Sequence, residues 1–548
     1  MKDKKSALKF IKSIGKPLIP KILLICFVGM LDSLCAVAIA LQSKNVIDSA
    51  MAGSFGELKN SVIILAVIIL LQFLLSFTYM KVNADIVAKQ SLGMQRKIFE
   101  SVVKMNYKHS TDFHTGELMN RITVDADTVL CGIIGIVPSV VAFVTGIVAA
   151  FGALVIIQPQ FALVCVVVGL VVGGGAIIWG RRLKRFTLEC RKWSDKSNSF
   201  LMECLQNILV IKSFGNEKKV VEHAKSIHIN SYKALKKRNN NSIMASLASG
   251  FAFTTGYFLA LIWGAFGIVA GTVTYGNLIA MIQLVGKIQS PFKGIASVIP
   301  QYYQMIASAE RLMDIAGCEE NFPYNNIKGF DCIEFKDVSF GYNENEYVLE
   351  NIDLKIDKGD FVLIAGMSGI GKSTLLKLML SMYSPSEGCI TVTDDEGVVH
   401  QLSPSIRNIF SYVPQGNMIL SGTIRENVIF FDECIDDEKI TECLKIAELW
   451  DDISQLPDGY NTVLGENGVG LSEGQVQRLA VARALYHNVP VILLDEATSA
   501  LDETTEAKML ENIRNLKDKT CILISHKKVA ERYMDKKIFI ENGRVICC

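Results

Sequence analysis

Long apolar runs dominate the first 300 residues of the chain, and short alternating runs dominate the remainder. A helix that spans a bilayer needs about 20 mostly apolar residues. Six segments fit, although the last contains two lysines and two prolines; they are 19–41, 62–80, 129–157, 161–180, 243–273 and one beginning near Leu278. The first part of the chain is therefore predicted to be an all-α domain of six transmembrane helices.

The basic residues predict the orientation of these helices. Lysine and arginine crowd the N-terminus and follow the second and fourth spans, whereas the connections after the first, third and fifth spans are short and poor in both. By the positive-inside rule, both termini and the two long connections, 81–128 and 181–242, face the cytoplasm. These connections are polar and helix-forming, so the helices should continue well beyond the bilayer. We expect a multi-pass protein of a bacterial inner membrane.

From Phe335 onwards, short β-rich runs alternate with helical ones, which predicts an α/β domain. The strand 361–365 runs directly into the pattern G-x-x-x-x-G-K-[ST], and a helical run follows. In this setting the glycines let backbone N–H groups wrap phosphates, the lysine neutralises their charge, and the serine binds Mg²⁺. The residues expected to hold ATP here are Gly366, Met367, Ser368, Gly369, Ile370, Gly371, Lys372, Ser373 and Thr374.

A second motif lies about 120 residues later, where the apolar run 491–494 ends in Asp495 and Glu496. A buried strand would deliver Asp495 to the metal shell. Glu496 would then stand where a base could polarise the attacking water. An apolar strand ending in acids is a weak signal alone, but together with the phosphate loop it predicts an ATPase.

The segment Leu471-Ser472-Glu473-Gly474-Gln475 lies between these motifs and resembles the signature of ATP-binding cassette (ABC) proteins. The resemblance implies that Ser472, Gly474 and Gln475 bind nucleotide. Further cassette elements occur in the same order as in that family; they are Tyr342 for stacking on adenine, Gln415 as the Q-loop glutamine that senses metal and water, Asp502 in the D-loop and His526 as the switch histidine. Glu496, His526 and Gln415 are then the expected catalytic residues, and Ser373, Gln415 and Asp495 the metal ligands.

Two stretches of the membrane half, 113–121 and 203–217, resemble the cytoplasmic connections of ABC exporters, which dock on the nucleotide domains. The whole chain thus resembles an exporter half-transporter. The expected domains are a transmembrane domain at 1–316, a linker at 317–332 and a cassette at 333–548. The resemblance also implies two chains, with each ATP held between the phosphate loop of one and the signature of the other. We expect ATP and Mg²⁺ as cofactors and membrane lipid around the spans.

The composition of the chain argues against one class of function. Half of the 548 residues are apolar and the formal net charge is only +1, which argues against a nucleic-acid-binding protein. The 14 cysteines show no metal spacing, and we interpret them as reduced and mainly structural.

Several alternatives stay open at this level. Asp32 lies within the first span and could contact substrate or simply be hydrated or paired. Glu473 occupies a signature position that is normally glycine, which is compatible with a heterodimer, although a homodimer is preferred. The exported substrate could be a peptide, a lipid or an amphipathic drug. A weakly hydrolysing regulatory or channel-like subunit, and an importer with the exporter fold, are the competing functions.

Overall fold

The computed structural model of the protein describes residues 4–318, 320, 327, 329–343, 346–416, 418–465, 468–516 and 518–547. Side chains are described for these residues except 170–178, 181, 184, 249, 293, 295–297 and 547. Residues 319, 321–326 and 328 of the predicted linker lie outside the described part of the chain.

The chain forms two compact units. The helical unit consists of Met1–Glu100 and Thr115–Gly317, and the mixed unit of Ser101–His114 and Cys318–Cys548. The mixed unit therefore includes a short segment from the N-terminal half of the sequence, residues 101–114.

The N-terminal part of the chain is helical almost throughout. Its α-helices are α1 (Lys4–Gly15), α2 (Ile19–Met51), α3 (Phe55–Val103), α4 (Tyr107–Ser110), α5 (Thr115–Asn120), α6 (Ala126–Ile157), α7 (Pro159–Gln206), α8 (Ile208–Ser213), α9 (Glu217–Val269) and α10 (Tyr275–Ala316). A π-helical turn, Arg121–Asp125, joins α5 to α6.

The predicted spans fall in six separate long helices, α2, α3, α6, α7, α9 and α10. Among the described residues, four helical stretches are long and apolar enough to cross a membrane; they are Lys5–Met51, Phe55–Val103, Thr115–Ile157 and Glu217–Val269. The prediction that helices extend past the bilayer is confirmed, because the 48 residues of α7 rise about 70 Å, more than twice a hydrocarbon core.

One predicted boundary is wrong. The fifth span was expected to reach Val273, but α9 ends at Val269. Gly271 has φ +69°, the left-handed conformation that commonly terminates helices. Because glycine has no side chain, it adopts this conformation readily, and the helix ends within an apolar run.

Small residues are fully buried where helices of the helical unit pack together. Ala40 on α2, Ala150 on α6 and Ala260 on α9 are fully buried, and they belong to one core cluster with Met281 and Leu284 of α10. Such residues let helix backbones approach closely, which is how helices associate in lipid. Larger apolar side chains such as Phe73 and Phe266 point outward and are mostly exposed, as expected for a lipid-facing surface.

The mixed unit is an α/β domain. Its strands are β1 (Cys332–Phe340), β2 (Leu349–Asp357), β3 (Phe361–Gly366), β4 (Glu387–Thr393), β5 (Val399–Gln401), β6 (Phe410–Val413), β7 (Gly422–Thr423), β8 (Val463–Leu464), β9 (Val491–Asp495), β10 (Thr520–Ile524), β11 (Lys536–Glu541) and β12 (Arg544–Cys547). Its further helices are α11 (Lys372–Met379), α12 (Ile424–Ile429), α13 (Asp437–Ile446), α14 (Trp450–Ser454), α15 (Glu473–Tyr486), α16 (Glu503–Arg514) and α17 (Lys528–Glu531).

The central sheet has the order β12-β11-β3-β10-β9-β6. All neighbours pair in parallel except β12, which is antiparallel to β11. The strands β3, β9 and β10 are buried, as their continuous apolar runs require. A second, antiparallel sheet has the order β2-β1-β4-β5. The expected α/β nucleotide domain is confirmed, and the carboxyl ends of β3, β9 and β10 lie together at one edge.

Candidate active site

The phosphate loop joins β3 to α11 and lies at this edge of the central sheet. Gly371 has φ +108° at the N-cap of α11, so the helix begins at Lys372 with its backbone N–H groups directed at the loop. The Lys372 side chain is buried, and its Nζ donates to the carbonyl oxygens of Gly366 and Met367, each at 2.9 Å. The lysine is therefore held over the loop, where it can neutralise a phosphate.

The hydroxyl of Ser373 meets the end of β9. Its Oγ donates to Asp495 Oδ1 at 3.0 Å, and the Tyr412 hydroxyl donates to Asp495 Oδ2 at 3.0 Å. Burial raises the pKa of Asp495, and these two hydrogen bonds partly counteract that rise because they favour the ionised carboxylate. Burial also raises the pKa of Tyr412, which keeps it a donor. Two of the three residues predicted to bind metal, Ser373 and Asp495, thus lie in contact.

The three predicted catalytic residues converge. Gln415 follows β6, and its Nε2 donates to Glu496 Oε2 at 2.6 Å. His526 follows β10, and its Nε2 lies 3.6 Å from Glu496 Oε1. Glu496 itself has φ +50°, an uncommon conformation for a residue other than glycine. Strained backbone of this kind is concentrated at functional sites, where the surrounding contacts hold a side chain in a defined position.

Tyr342 lies in an aromatic cluster next to the phosphate loop. Its hydroxyl is 2.9 Å from Thr374 Oγ1, and its ring packs edge-on against Phe340 and Tyr383. Tyr383 in turn packs edge-on against Tyr107 of α4. Tyr342 remains 45% exposed, which leaves ring surface available for a base to stack on.

The signature residues begin a helix. Ser472 is the N-cap of α15 and forms a capping box with Gln475, in which each side chain accepts from the other residue's backbone N–H. Glu473 is exposed in the first helical turn, where a negative charge is favoured by the helix dipole. A Cβ added to Gly474 would lie 3.1 Å from the carbonyl oxygen of Ala500. These residues contact their own helix and the loop after β9.

Asp502 also begins a helix. Hydrogen bonds from the Thr504 hydroxyl and the Thr505 backbone hold the pKa of Asp502 well below its ordinary value. In this chain Asp502 is the N-cap of α16. In the helical unit, Asp32 accepts a hydrogen bond from Ser76 at 2.6 Å, so a neighbouring helix supplies a partner for this carboxylate.

Sequence reasoning missed three residues of the site. Tyr412 contacts Asp495, Lys527 contacts the loop that follows Glu496, and Gln477 bonds to Ser499 and Ala500 in that loop. Each lies within five residues of a motif, but a tyrosine, lysine or glutamine is too common to be selected without the fold. The parallel pairing of β6 with β9 and of β9 with β10 brings Tyr412 and Lys527 to this edge, and Gln477 reaches the loop from α15.

Two family models match the chain. The ABC transporter transmembrane region matches residues 22–292, and the ABC transporter model matches residues 349–499. The two matched segments occur in the order expected from the fold, the membrane region first and the cassette second.

Full-length relatives share this layout. A Rickettsia bellii protein named as an export ATP-binding/permease protein is 28% identical over 539 residues, covering 96% of this chain and 92% of the relative. A Staphylococcus aureus protein named as a multidrug export ATP-binding/permease protein is 29% identical over 499 residues, covering 87% and 82%.

The solved structure of a bacterial Atm1-family ABC exporter with ATP bound has the same fold. It matches with a TM-score of 0.78 and 22% identity, covering 97% of this chain and 95% of that chain. With the phosphate loop, the paired acids and the signature helix in place, the chain belongs to the ABC transporter family and joins a transmembrane region and an ATP-hydrolysing cassette in one polypeptide.

Proposed function

We propose that the chain is one half of an ATP-driven exporter, and that two copies form the pump. The fusion of a membrane region to a cassette supports this, as do the relatives named for export. We propose that it lies in a bacterial inner membrane, in contact with lipid and with both termini cytoplasmic, as the distribution of lysine and arginine around the spans predicts. Its apolar helices suit a peptide, a lipid or an amphipathic drug as substrate.

The convergence of Gln415 and His526 on Glu496 carries the proposal. One oxygen of this carboxylate accepts a hydrogen bond from Gln415 and the other faces His526 at 3.6 Å, which orients the group for one task. The task available at this position is to polarise the water that attacks the γ-phosphate. His526 is placed to contact the same phosphate. A protein that only bound ATP would have no need of a base held in this way.

The donor set fits Mg²⁺. Ser373 Oγ, Asp495 and the side-chain amide of Gln415 offer oxygen ligands, which a hard cation prefers. No cluster of three His, Cys, Asp or Glu side chains with metal-ligand geometry occurs among the described residues. That agrees with Mg²⁺, which is usually held by one or two carboxylates together with substrate phosphates. The ion would supply charge neutralisation, while Asp495 and Ser373 orient it.

A second copy completes each ATP site. Tyr342 and residues 366–374 of one copy would hold the base and the phosphates. Ser472, Gly474 and Gln475 of the other copy would cover the γ-phosphate from the start of α15, with Asp502 beside them. The exposed position of Ser472 and Glu473 at a helix start supports a role at such an interface. We propose a homodimer, because the chain carries its own complete catalytic set.

The test is ATP hydrolysis by the purified chain in lipid vesicles. Glu496→Gln keeps the shape of the side chain but removes the base, so hydrolysis should fall about 100-fold or more while ATP binding persists. Glu442→Gln makes the same chemical change on the exposed side of α13 and should hydrolyse ATP like the wild type.

Each competing function predicts a different result. Binding of ATP with negligible hydrolysis by the wild type would indicate a missing partner subunit or a regulatory role. Robust hydrolysis by the chain alone would establish the homodimer. ATP-dependent uptake of substrate into inside-out vesicles would show export, whereas ATP-dependent release from preloaded inside-out vesicles would show import.

A further inference from the structure

The loop 498–502, between Glu496 and α16, is attached to a lysine whose role is not explained by nucleotide contact. Lys527 Nζ donates to the carbonyl oxygens of Thr498 at 2.7 Å and Leu501 at 2.5 Å. Lys527 is the residue directly after His526, so one short segment carries both the histidine and the ammonium group that is hydrogen-bonded to the loop. Movement of His526 and of the loop is therefore mechanically linked.

A buried carboxylate sits beside this lysine. Glu506 on α16 is fully buried, and neither of its side-chain oxygens accepts a hydrogen bond from the described residues. The cation paired with it is Lys527, whose Nζ lies 3.4 Å from Oε2. Since an unpaired buried charge is strongly destabilising, Glu506 holds the ammonium group in place over the loop.

The same loop is held on its other side by the signature helix. Gln477 Nε2 donates to Ser499 Oγ at 2.9 Å, and the Ala500 N–H donates to Gln477 Oε1 at 3.0 Å. The Ser499 N–H also donates to the carbonyl oxygen of Glu496 at 3.1 Å. The loop thus connects the base, the segment of His526 and the signature helix through hydrogen bonds.

We propose that Lys527 is a positioning residue for ATP hydrolysis, and that Glu506 is its buried counter-charge. The lysine fixes the loop 498–502 relative to His526 and Glu496, so that a phosphate contacted by His526 changes the position of the loop and, through Gln477, of the signature helix. This inference rests on the proposed function, because it assigns a residue that supports the same reaction without touching ATP.

The first test is Lys527→Met in lipid vesicles. A displaced loop moves the backbone next to Glu496, so kcat for ATP should fall about tenfold or more, while the Kd for ATP stays within about twofold because the phosphate loop is untouched. Lys527→Arg keeps the charge and should retain most of the activity. Lys528→Met is the matched control, since the neighbouring lysine is exposed, and it should hydrolyse ATP like the wild type.

The second test separates positioning from folding. Lys527→Met alone leaves Glu506 buried without a counter-charge, so it is also expected to lower the unfolding temperature. The double variant Lys527→Met with Glu506→Met removes both charges and should recover thermal stability without recovering kcat. Wild-type kcat in Lys527→Met, or in the double variant, would overturn the proposal.

A third measurement keeps this inference distinct from the proposed function. If the wild-type chain binds ATP but does not hydrolyse it, the function fails and kcat has no value as a readout. ATP should then still protect the backbone amides of 498–502 from hydrogen exchange in the wild type. That protection should be lost in Lys527→Met, and its persistence there would contradict the proposal.

Discussion

At the scale of single residues, the candidate site depends on the burial and the hydrogen bonds of the Asp495 carboxylate. Asp495 is buried, which raises its pKa, and its two oxygens accept hydrogen bonds from Ser373 and Tyr412. Burial disfavours the charged form that a metal ligand needs, whereas the hydrogen bonds favour it. The two donors therefore favour the ionised form that Asp495 needs for its proposed role as a metal ligand.

Tyr412→Phe removes one of these donors and keeps the ring. Because the lost hydrogen bond stabilised the ionised carboxylate, the pKa of Asp495 should rise further. As the pH is lowered, the variant should therefore lose hydrolysis at a higher pH than the wild type does. A hydrogen bond of about 1 kcal/mol corresponds to a shift of about 0.7 pH unit in the acid limb. The pH profile of kcat/KM measures this shift. Tyr460→Phe, in the segment before β8, should leave the profile unchanged, and an unshifted profile in Tyr412→Phe would contradict the assignment.

At the scale of elements, the candidate residues lie where helices begin and strands end. Helix α11 begins at Lys372, α15 follows Ser472, and α16 follows Asp502. Helix N-termini carry unpaired N–H groups and favour negative charge, so they are suited to phosphate. The acids lie at or just after the carboxyl end of β9, in the same sheet edge as the phosphate loop.

In the helical unit, side-chain hydrogen bonds join the π-helical turn to α10. Asp125 ends the π-helical turn before α6 and is almost fully buried. It accepts hydrogen bonds from Ser308 at 2.8 Å and from Arg311 Nε at 2.7 Å, both on α10. Arg121, in the same turn, donates to the carbonyl oxygen of Arg311. Local π-helical turns often mark functional segments, and this one aligns two side chains with α10.

Asp125→Asn should destabilise the protein while leaving the cassette intact. The amide cannot satisfy the Arg311 guanidinium, so we expect a loss of about 1–3 kcal/mol, moderated because Arg311 is partly exposed. Thermal unfolding of the detergent-solubilised protein measures this, with Glu310→Gln on α10 as the control. Equal unfolding temperatures for the two variants would show that the network contributes nothing to stability.

At the scale of the whole molecule, the proposed dimer requires one chain to supply two different half-sites. The phosphate loop, the acids and Tyr342 are assembled at one sheet edge. The signature residues begin α15, whose apolar side chains belong to a hydrophobic cluster that also contains residues of α12 and α13. In the proposed dimer, each ATP site takes one half-site from each copy.

A complementation experiment tests that arrangement. Homodimers of Lys372→Ala and of Ser472→Ala should each lose most hydrolysis, because every site carries a defect. When the two variants are mixed, a mixed dimer has both defects in one site and none in the other, so hydrolysis should partly return. ATPase activity of co-reconstituted variants measures this. No recovery, with mixed dimers shown to form, would mean that each site is built within one chain or that both sites must be intact.

The sequence by itself determined the order of the domains and the six long helices, and it was enough to select the candidate site residues. Apolar length is enough to predict a span, because a bilayer leaves no alternative for an apolar helix. The phosphate loop is equally local, since glycines, lysine and serine act within one turn between a strand and a helix. The roles of His526 and Gln415 were predicted because the chain resembles a family whose motifs occur in a known order.

Only the tertiary structure decided which distant side chains touch. The hydrogen bonds of Tyr412 with Asp495, of Gln415 with Glu496 and of Lys527 with the loop 498–502 join residues 26 or more positions apart. Strand order creates these contacts, and parallel strands are linked by crossovers of a length that no local pattern specifies. The end of α9 and the burial of Glu506 were likewise settled by backbone conformation and packing. An apolar run has the same sequence whether or not the helix continues through it, and a glutamate is the same residue whether it is buried or exposed.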